Sequence, residues 1–206
     1  MSSILSLETT FKERTFCLFS KELILSSIDN KLQEENNFCV SSSLFSSLNL
    51  LFKKSSFDIS KIDVFLTTTG PGSFTGIRQS LAFMTGLKAA FPFKNFYSFS
   101  TLDLLMAYAK NQLQKKEIII ALSNGRFGYY VKKEGFDPVV LSKEAVENLS
   151  QCAEILSDDF PSSLPFPNDL SKILLKTYLE TPDLFSTSLT PCYVHEPAYK
   201  KSYFPG

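Results

Sequence analysis

The run Thr67 to Ala90, TTTGPGSFTGIRQSLAFMTGLKAA, restricts the fold more than any other stretch of the chain. It follows Ile62-Asp63-Val64-Phe65-Leu66, apolar and β-branched or aromatic at most positions, which predicts a strand. The chain then turns on Gly70-Pro71-Gly72, where proline fixes φ and glycine permits backbone angles that other residues avoid. Ser73 is placed to cap a helix, its hydroxyl accepting from the amide of Thr75 or Gly76. Good helix formers continue to about Ala90, and Pro92 ends the run. Strand, glycine turn and capped helix make a unit whose helix N-terminus points out of a sheet edge. The glycines Gly70, Gly72 and Gly76 have neither P-loop spacing nor a Lys-Ser/Thr pair, and do not fit G-x-G-x-x-G. A tight turn that needs glycine is the simpler reading, with anion binding at the helix start as its alternative.

At about 100° per residue, Phe74, Ile77, Leu81 and Met84 fall on one stripe of this helix, the one assigned to the sheet. Gly76, Ser80, Phe83, Leu87 and Phe91 form a second stripe, and Thr75, Ala82, Thr85, Gly86 and Ala89 fill the remaining arc. Arg78 and Lys88 are its only charges, whereas a helix that merely covers a sheet shows water a broad charged face. A second covering element is therefore expected, within this chain or from another subunit. Insertion into a membrane is a poor alternative, because Lys88 interrupts an apolar run short of the ~20 residues required. The segment 37–54 has the same character. Val40, Leu44, Leu48 and Leu51 recur at helical spacing beside Phe45 and Phe52, serines fill much of the rest, and Lys53 and Lys54 suit the helix C-terminus. Two charge-poor helices are consistent with a shared packing surface, although serine also serves as a plain solvent face.

Around these helices the chain reads as two α/β halves. Ile4–Thr10, Phe16–Ser20 and Leu23–Ile28 predict an antiparallel meander, and a short strand at Phe96–Phe99 precedes a helix capped by Ser100 or Thr101. The first half is thus βββαβαβα. After Lys115-Lys116 the order βββα begins again with Ile118–Leu122, Tyr129–Val131, Val139–Leu141 and a helix capped by Ser142. Cys152–Leu156 predicts a further strand, and Asn168 is placed to cap a helix through Leu179. The expected domains are 1–114 and 115–206.

At 206 residues there is ample length for a real core. Zero formal net charge gives no whole-molecule attraction for nucleic acid. Four scattered cysteines, Cys17, Cys39, Cys152 and Cys192, read as buried free thiols. His195 is the only histidine, which removes His-rich metal sites, and no metal or cofactor is expected. With no membrane-spanning run and no basic segment leading an apolar one at the N-terminus, a cytoplasmic location is expected.

GPGSFTGIR closely resembles the signature of the bacterial TsaB (YeaZ) family, the partner subunit in making threonylcarbamoyladenosine in tRNA. Ile4–Thr10 is similar to that family's opening strand and turn, with Glu8 where Asp is usual. Val40-Ser41-Ser42-Ser43-Leu44 lacks the His and Glu of the family's His-Ser-Glu, and Pro191–Pro197 resembles its closing motif with His195 in place of Arg. The resemblance implies the duplicated fold of the actin, Hsp70 and sugar-kinase (ASKHA) superfamily, with a reduced second half. It also implies a subunit without catalytic residues that binds the catalytic TsaD-type protein through N-terminal helices. The contact would involve Val40, Leu44, Leu48, Phe74, Thr75, Arg78, Ala82, Thr85, Gly86 and Ala89. A TsaE-type ATPase and tRNA would be met only through the complex, and homodimerisation is possible when the chain is alone. The alternative is an ATP-dependent kinase or phosphatase of the same superfamily. Glu8-Thr9-Thr10-Phe11 lacks the glycine with which active members let backbone approach phosphate, so ATP turnover is not expected. A metallopeptidase needs two histidines one helical turn apart, which one histidine cannot supply.

Overall fold

The computed structural model describes residues 2–11, 14–20, 23–28, 40–113, 117–162 and 164–194. The first half has the expected order: β1 (Ile4–Glu8), β2 (Thr15–Ser20), β3 (Leu23–Ile28), α1 (Val40–Ser55), β4 (Val64–Thr68), α2 (Phe74–Ala90), β5 (Asn95–Phe99) and α3 (Thr101–Gln112). The second half continues with β6 (Ile118–Ser123), β7 (Tyr129–Lys133), β8 (Val139–Leu141), α4 (Lys143–Leu149), β9 (Glu154–Ser157) and α5 (Leu170–Glu180). Two mixed sheets result, ordered β3-β2-β1-β4-β5 and β8-β7-β6-β9. In the first, β1 pairs antiparallel with β2 and parallel with β4, so that Leu7 lies between Phe16 and Thr67.

Every residue of β1 and β4 is buried, as central strands covered on both faces require. On one face Leu5, Leu7, Phe16, Leu18, Phe65 and Phe96 meet Leu44, Leu48 and Leu51 of α1 and Met84 of α2. Phe65 and Phe96 stack at 4.7 Å between ring centroids. Burial of each such side chain stabilises the fold by roughly 1.5–3 kcal/mol. On the other face α5 packs against β1 and β2. There the Ser6 hydroxyl donates to the Ser171 carbonyl at 2.7 Å, and the Ser171 amide donates to Thr15 Oγ1 at 3.0 Å.

This docking divides the chain less simply than a single boundary after residue 114. Of the described residues, those within 1–104 and 167–191 make one compact unit, and those within 105–166 and 192–194 the other. The sequence places α5 in the second half because it follows β9 there. Its buried Leu170, Leu174 and Leu175 and the pairing of Ser6 with Ser171 join it to the first sheet. Asp169, and not Asn168, caps it, accepting from the Lys172 amide at 3.0 Å. In the second unit Ile119, Ala121, Tyr129, Val131, Val146 and Ile155 form a separate core. Between β6 and β7, Asn124 leads into a short 3-10 helix (Gly125–Phe127).

The buried residues of α2 are Gly76, Ile77, Ser80, Leu81 and Met84, with Phe83 and Leu87 half-buried against the core. The sheet-facing stripe is therefore rotated from the one read in the sequence, and Phe74 lies outside it, 42% exposed. Leu81 is 5% exposed, and an aspartate there would bury a charge without a partner. Leu81→Asp is expected to cost about 3–5 kcal/mol and to abolish the cooperative melt of the first unit in circular dichroism. A melt within a few degrees of the parent would contradict this placement.

Candidate functional site

The glycine turn after β4 is held by the end of β1. The Ser73 amide donates to the Thr10 carbonyl at 2.6 Å, and the Ser73 hydroxyl accepts from the Gly76 amide at 3.2 Å, as the capping reading requires. Thr9 Oγ1 donates to the Gly76 carbonyl at 2.7 Å. A Cβ on Gly76 would collide with the Thr9 carbonyl oxygen, and one on Gly72 would lie 2.7 Å from the Thr10 carbonyl oxygen. Both glycines are thus required for close approach of backbone to backbone. Because Ser73 spends its amide on Thr10, the simpler of the two readings of this turn accounts for the geometry. Gly70 contributes a positive φ of 97° and a carbonyl that accepts from the Thr101 amide at 2.9 Å, while Pro71 is buried.

Glu8, read in the sequence only as a substitute for aspartate, lies at the centre of this junction and is wholly buried. Its Oε1 accepts from the Thr10 amide at 2.6 Å, from the Thr10 hydroxyl, and from the Thr68 hydroxyl at 3.0 Å. Burial pushes its pKa above the usual glutamate range, outweighing the donors from Thr10, Thr68 and Thr9 that act in the opposite direction. Cys17, also buried, has its thiol pushed up to about 12 by burial and then by the Asp169 charge, which makes it an inert thiol. Cys152 is exposed and Cys192 half-buried, so the expectation of buried cysteines fails for them. Cys39 and His195 lie outside the described residues. Among the described residues no group of three or more His, Cys, Asp or Glu could hold a metal ion, and no helix is long and apolar enough to cross a membrane.

The residues assigned to a partner contact divide between core and surface. Leu44 and Leu48 are 1% and 3% exposed and belong to the core of their own unit. The helical spacing that singled them out is the spacing of a core stripe. The side chain of Val40 is outside the described ones. Phe74, Thr75, Arg78, Ala82, Thr85, Gly86 and Ala89 of α2 are all exposed. The Arg78 guanidinium carbon stands 3.8 Å from the centroid of the Phe74 ring. What α1 offers to the surface is Phe45, 60% exposed and edge-on to Phe83 at 5.4 Å, together with Leu50. The sequence signal for Phe45 was its position beside the leucine stripe and not in it.

In the second unit the Ser123 amide donates to Asp158 Oδ1 at 2.8 Å, tying the C-terminal ends of the parallel strands β6 and β9. Gly128 is required there, since a Cβ would strike the Leu141 carbonyl oxygen.

Gly76→Ala is expected to destabilise the first unit by more than the ~1 kcal/mol that alanine normally gains over glycine in a helix, because the added carbon meets rigid backbone. Thermal melting that showed stabilisation would refute the close approach. For Glu8, the raised folded-state pKa means that the native state holds its proton more tightly than the unfolded chain. The resulting stabilisation is complete below the ordinary glutamate pKa and is lost as pH rises through the folded value. Glu8→Gln cannot titrate, so urea titrations across that window should show a smaller fall of stability with pH than in the parent. An unchanged slope would mean that Glu8 does not titrate with a raised pKa.

The family model described as TsaD, tRNA N6-adenosine threonylcarbamoyltransferase, matches residues 40–188. No curated protein shows significant sequence similarity to the chain. Among solved structures, YeaZ from Pseudomonas aeruginosa is similar with a TM-score of 0.67 at 19% identity, over 94% of this chain and 100% of that one. An uncharacterised protein from P. aeruginosa with similarity to peptidase YeaZ gives a TM-score of 0.69 at 18% identity, over 95% and 100%. The two mixed sheets and their helices are of the ASKHA type. The chain belongs to the TsaD, or tRNA N6-adenosine threonylcarbamoyltransferase, family and carries in it a fold of the TsaB (YeaZ) type.

Proposed function

We propose that this protein is a non-catalytic subunit of the complex that adds the threonylcarbamoyl group to adenosine 37 of tRNA, where it binds and supports a TsaD-type catalytic subunit. The observation behind this reading is the exposed arc of α2. Thr75, Ala82, Thr85, Gly86 and Ala89 are small and uncharged yet exposed, which suits close approach of a helix from another chain. Among the described residues, a Cβ on Gly86 would meet nothing within 4 Å, which leaves that side of the helix open to them. Phe45 of α1, edge-on to Phe83 of α2, adds exposed apolar surface beside that helix. A TsaE-type ATPase and tRNA are then encountered only within the complex.

Two features argue against the alternative of a kinase or phosphatase. The β1 end has no glycine for phosphate approach, and Glu8 spends one carboxyl oxygen, Oε1, on Thr10 and Thr68. The Thr10 carbonyl in turn accepts from the amide of Ser73, the cap of α2.

The test is co-elution with a TsaD-type protein in size-exclusion chromatography. The parent chain should form one complex. Gly86→Arg should keep its circular dichroism and melting temperature, because none of the described residues is displaced. It should lose the complex, since a long charged side chain blocks backbone approach at a cost of about 2–5 kcal/mol. A parent chain that stays separate, or a Gly86→Arg variant that binds normally, would overturn this assignment.

A further inference from the structure

We propose that Glu8 is a positioning residue for α2: by gathering Thr10 and Thr68 it holds the Thr9–Thr10 backbone on which the helix start is seated, and thereby sets the alignment of the exposed α2 face. The inference rests on the docking role proposed for that face and names the residue that makes the face competent.

Three donors from two segments converge on one oxygen of Glu8. They are the Thr10 amide and hydroxyl from the turn after β1 and the Thr68 hydroxyl from the end of β4. The other oxygen, Oε2, makes no hydrogen bond among the described residues. A buried carboxyl is a poor choice for stability alone, since an apolar residue of similar volume would serve as well or better. What an apolar residue could not do here is accept these hydrogen bonds and so hold a specific backbone position. Thr10, once held, presents its carbonyl to the Ser73 amide at 2.6 Å. Thr9 beside it donates to the Gly76 carbonyl and fills the space left by the missing Gly76 side chain. Glu8, Thr9 and Thr10 therefore connect β4 to both ends of the first turn of α2 by direct contact.

The surroundings of Glu8 leave this role to hydrogen bonding and not to an ion pair. Across β2 it faces Thr15, with Arg14 next in the chain. From β4 and the turn after it come Thr67, Thr68 and Thr69, all neutral. From α5, Asp169 and Lys172 act on Cys17. Lys12 and Glu13 lie outside the described residues. Burial favours the neutral acid, the form that keeps a carbonyl-type acceptor on Oε1 without a charge in a dry interior.

Two measurements on the same samples test this: hydrogen exchange of the Ser73 amide and affinity for a TsaD-type protein. In Glu8→Ala the Ser73 amide should exchange about tenfold faster while the β1 and β4 amides keep their protection, and complex affinity should fall about tenfold. Glu8→Gln, which keeps a neutral acceptor of the same length, should restore both. Thr68→Val and Thr10→Val, each removing one hydroxyl donor, should move both readouts in the same direction by less. Ile62→Ala serves as a control that destabilises the core away from this junction, and should leave both readouts unchanged. The proposal falls if Ser73 stays protected in Glu8→Ala, if glutamine fails to rescue, or if Ile62→Ala reproduces the loss. Should Glu8→Ala fail to fold, unchanged Ser73 exchange in both threonine variants overturns it equally. A parent chain that binds no TsaD-type protein removes the docking role, while the exchange readout still judges Glu8 by itself.

Discussion

The packing of the α2 helix start on the Thr9–Thr10 backbone is the constraint on which the rest of the first unit depends. Two glycines are fixed by it, because a side chain at either Gly72 or Gly76 would enter space held by the Thr9–Thr10 segment. It also sets the rotation of the whole helix. With Gly76 turned inward, Ile77, Ser80, Leu81 and Met84 follow to the sheet, and Phe74 is turned out to water beside Arg78. The exposed arc of small residues is the geometric remainder of that choice. A surface feature over four helical turns is thus determined by contacts in the first.

A helix N-terminus attracts anions because its first amides lack partners within the helix. In this chain the Thr10 carbonyl supplies the partner for Ser73, and the Ser73 hydroxyl supplies one for Gly76. The same glycine-rich turn that could approach a phosphate is used to approach the chain's own backbone. Glu8 fits this arrangement, since its carboxyl is turned inward to the threonines that hold the turn. The junction has the chemistry of a structural joint whose product is the position of a helix.

Much of this was legible in local patterns. The glycines, the serine cap and the missing charge on α2 each follow from residue types at fixed spacing, which backbone sterics and solvation read directly. The leucines of α1 were legible as a stripe, yet a stripe has no sign. Leu44 and Leu48 have the spacing expected of either a core or a contact, and only the position of the sheet beneath them decides for the core. Glu8 was visible only as a departure from a motif. Its role requires knowing that the ends of β1 and β4 lie side by side, some 60 residues apart in sequence.

The sequence by itself determined the order of elements, the strand–turn–helix unit with its cap, and the presence of two charge-poor helices. These are properties of short windows, where periodicity and capping act within a few residues. Tertiary structure alone decided which side of each helix is buried and that α5 joins the first sheet although it follows the second in the chain. The reason is physical. Burial and hydrogen bonding at Ser6–Ser171 and Glu8–Thr68 link positions that no local pattern relates, and they exist only once the strands have paired.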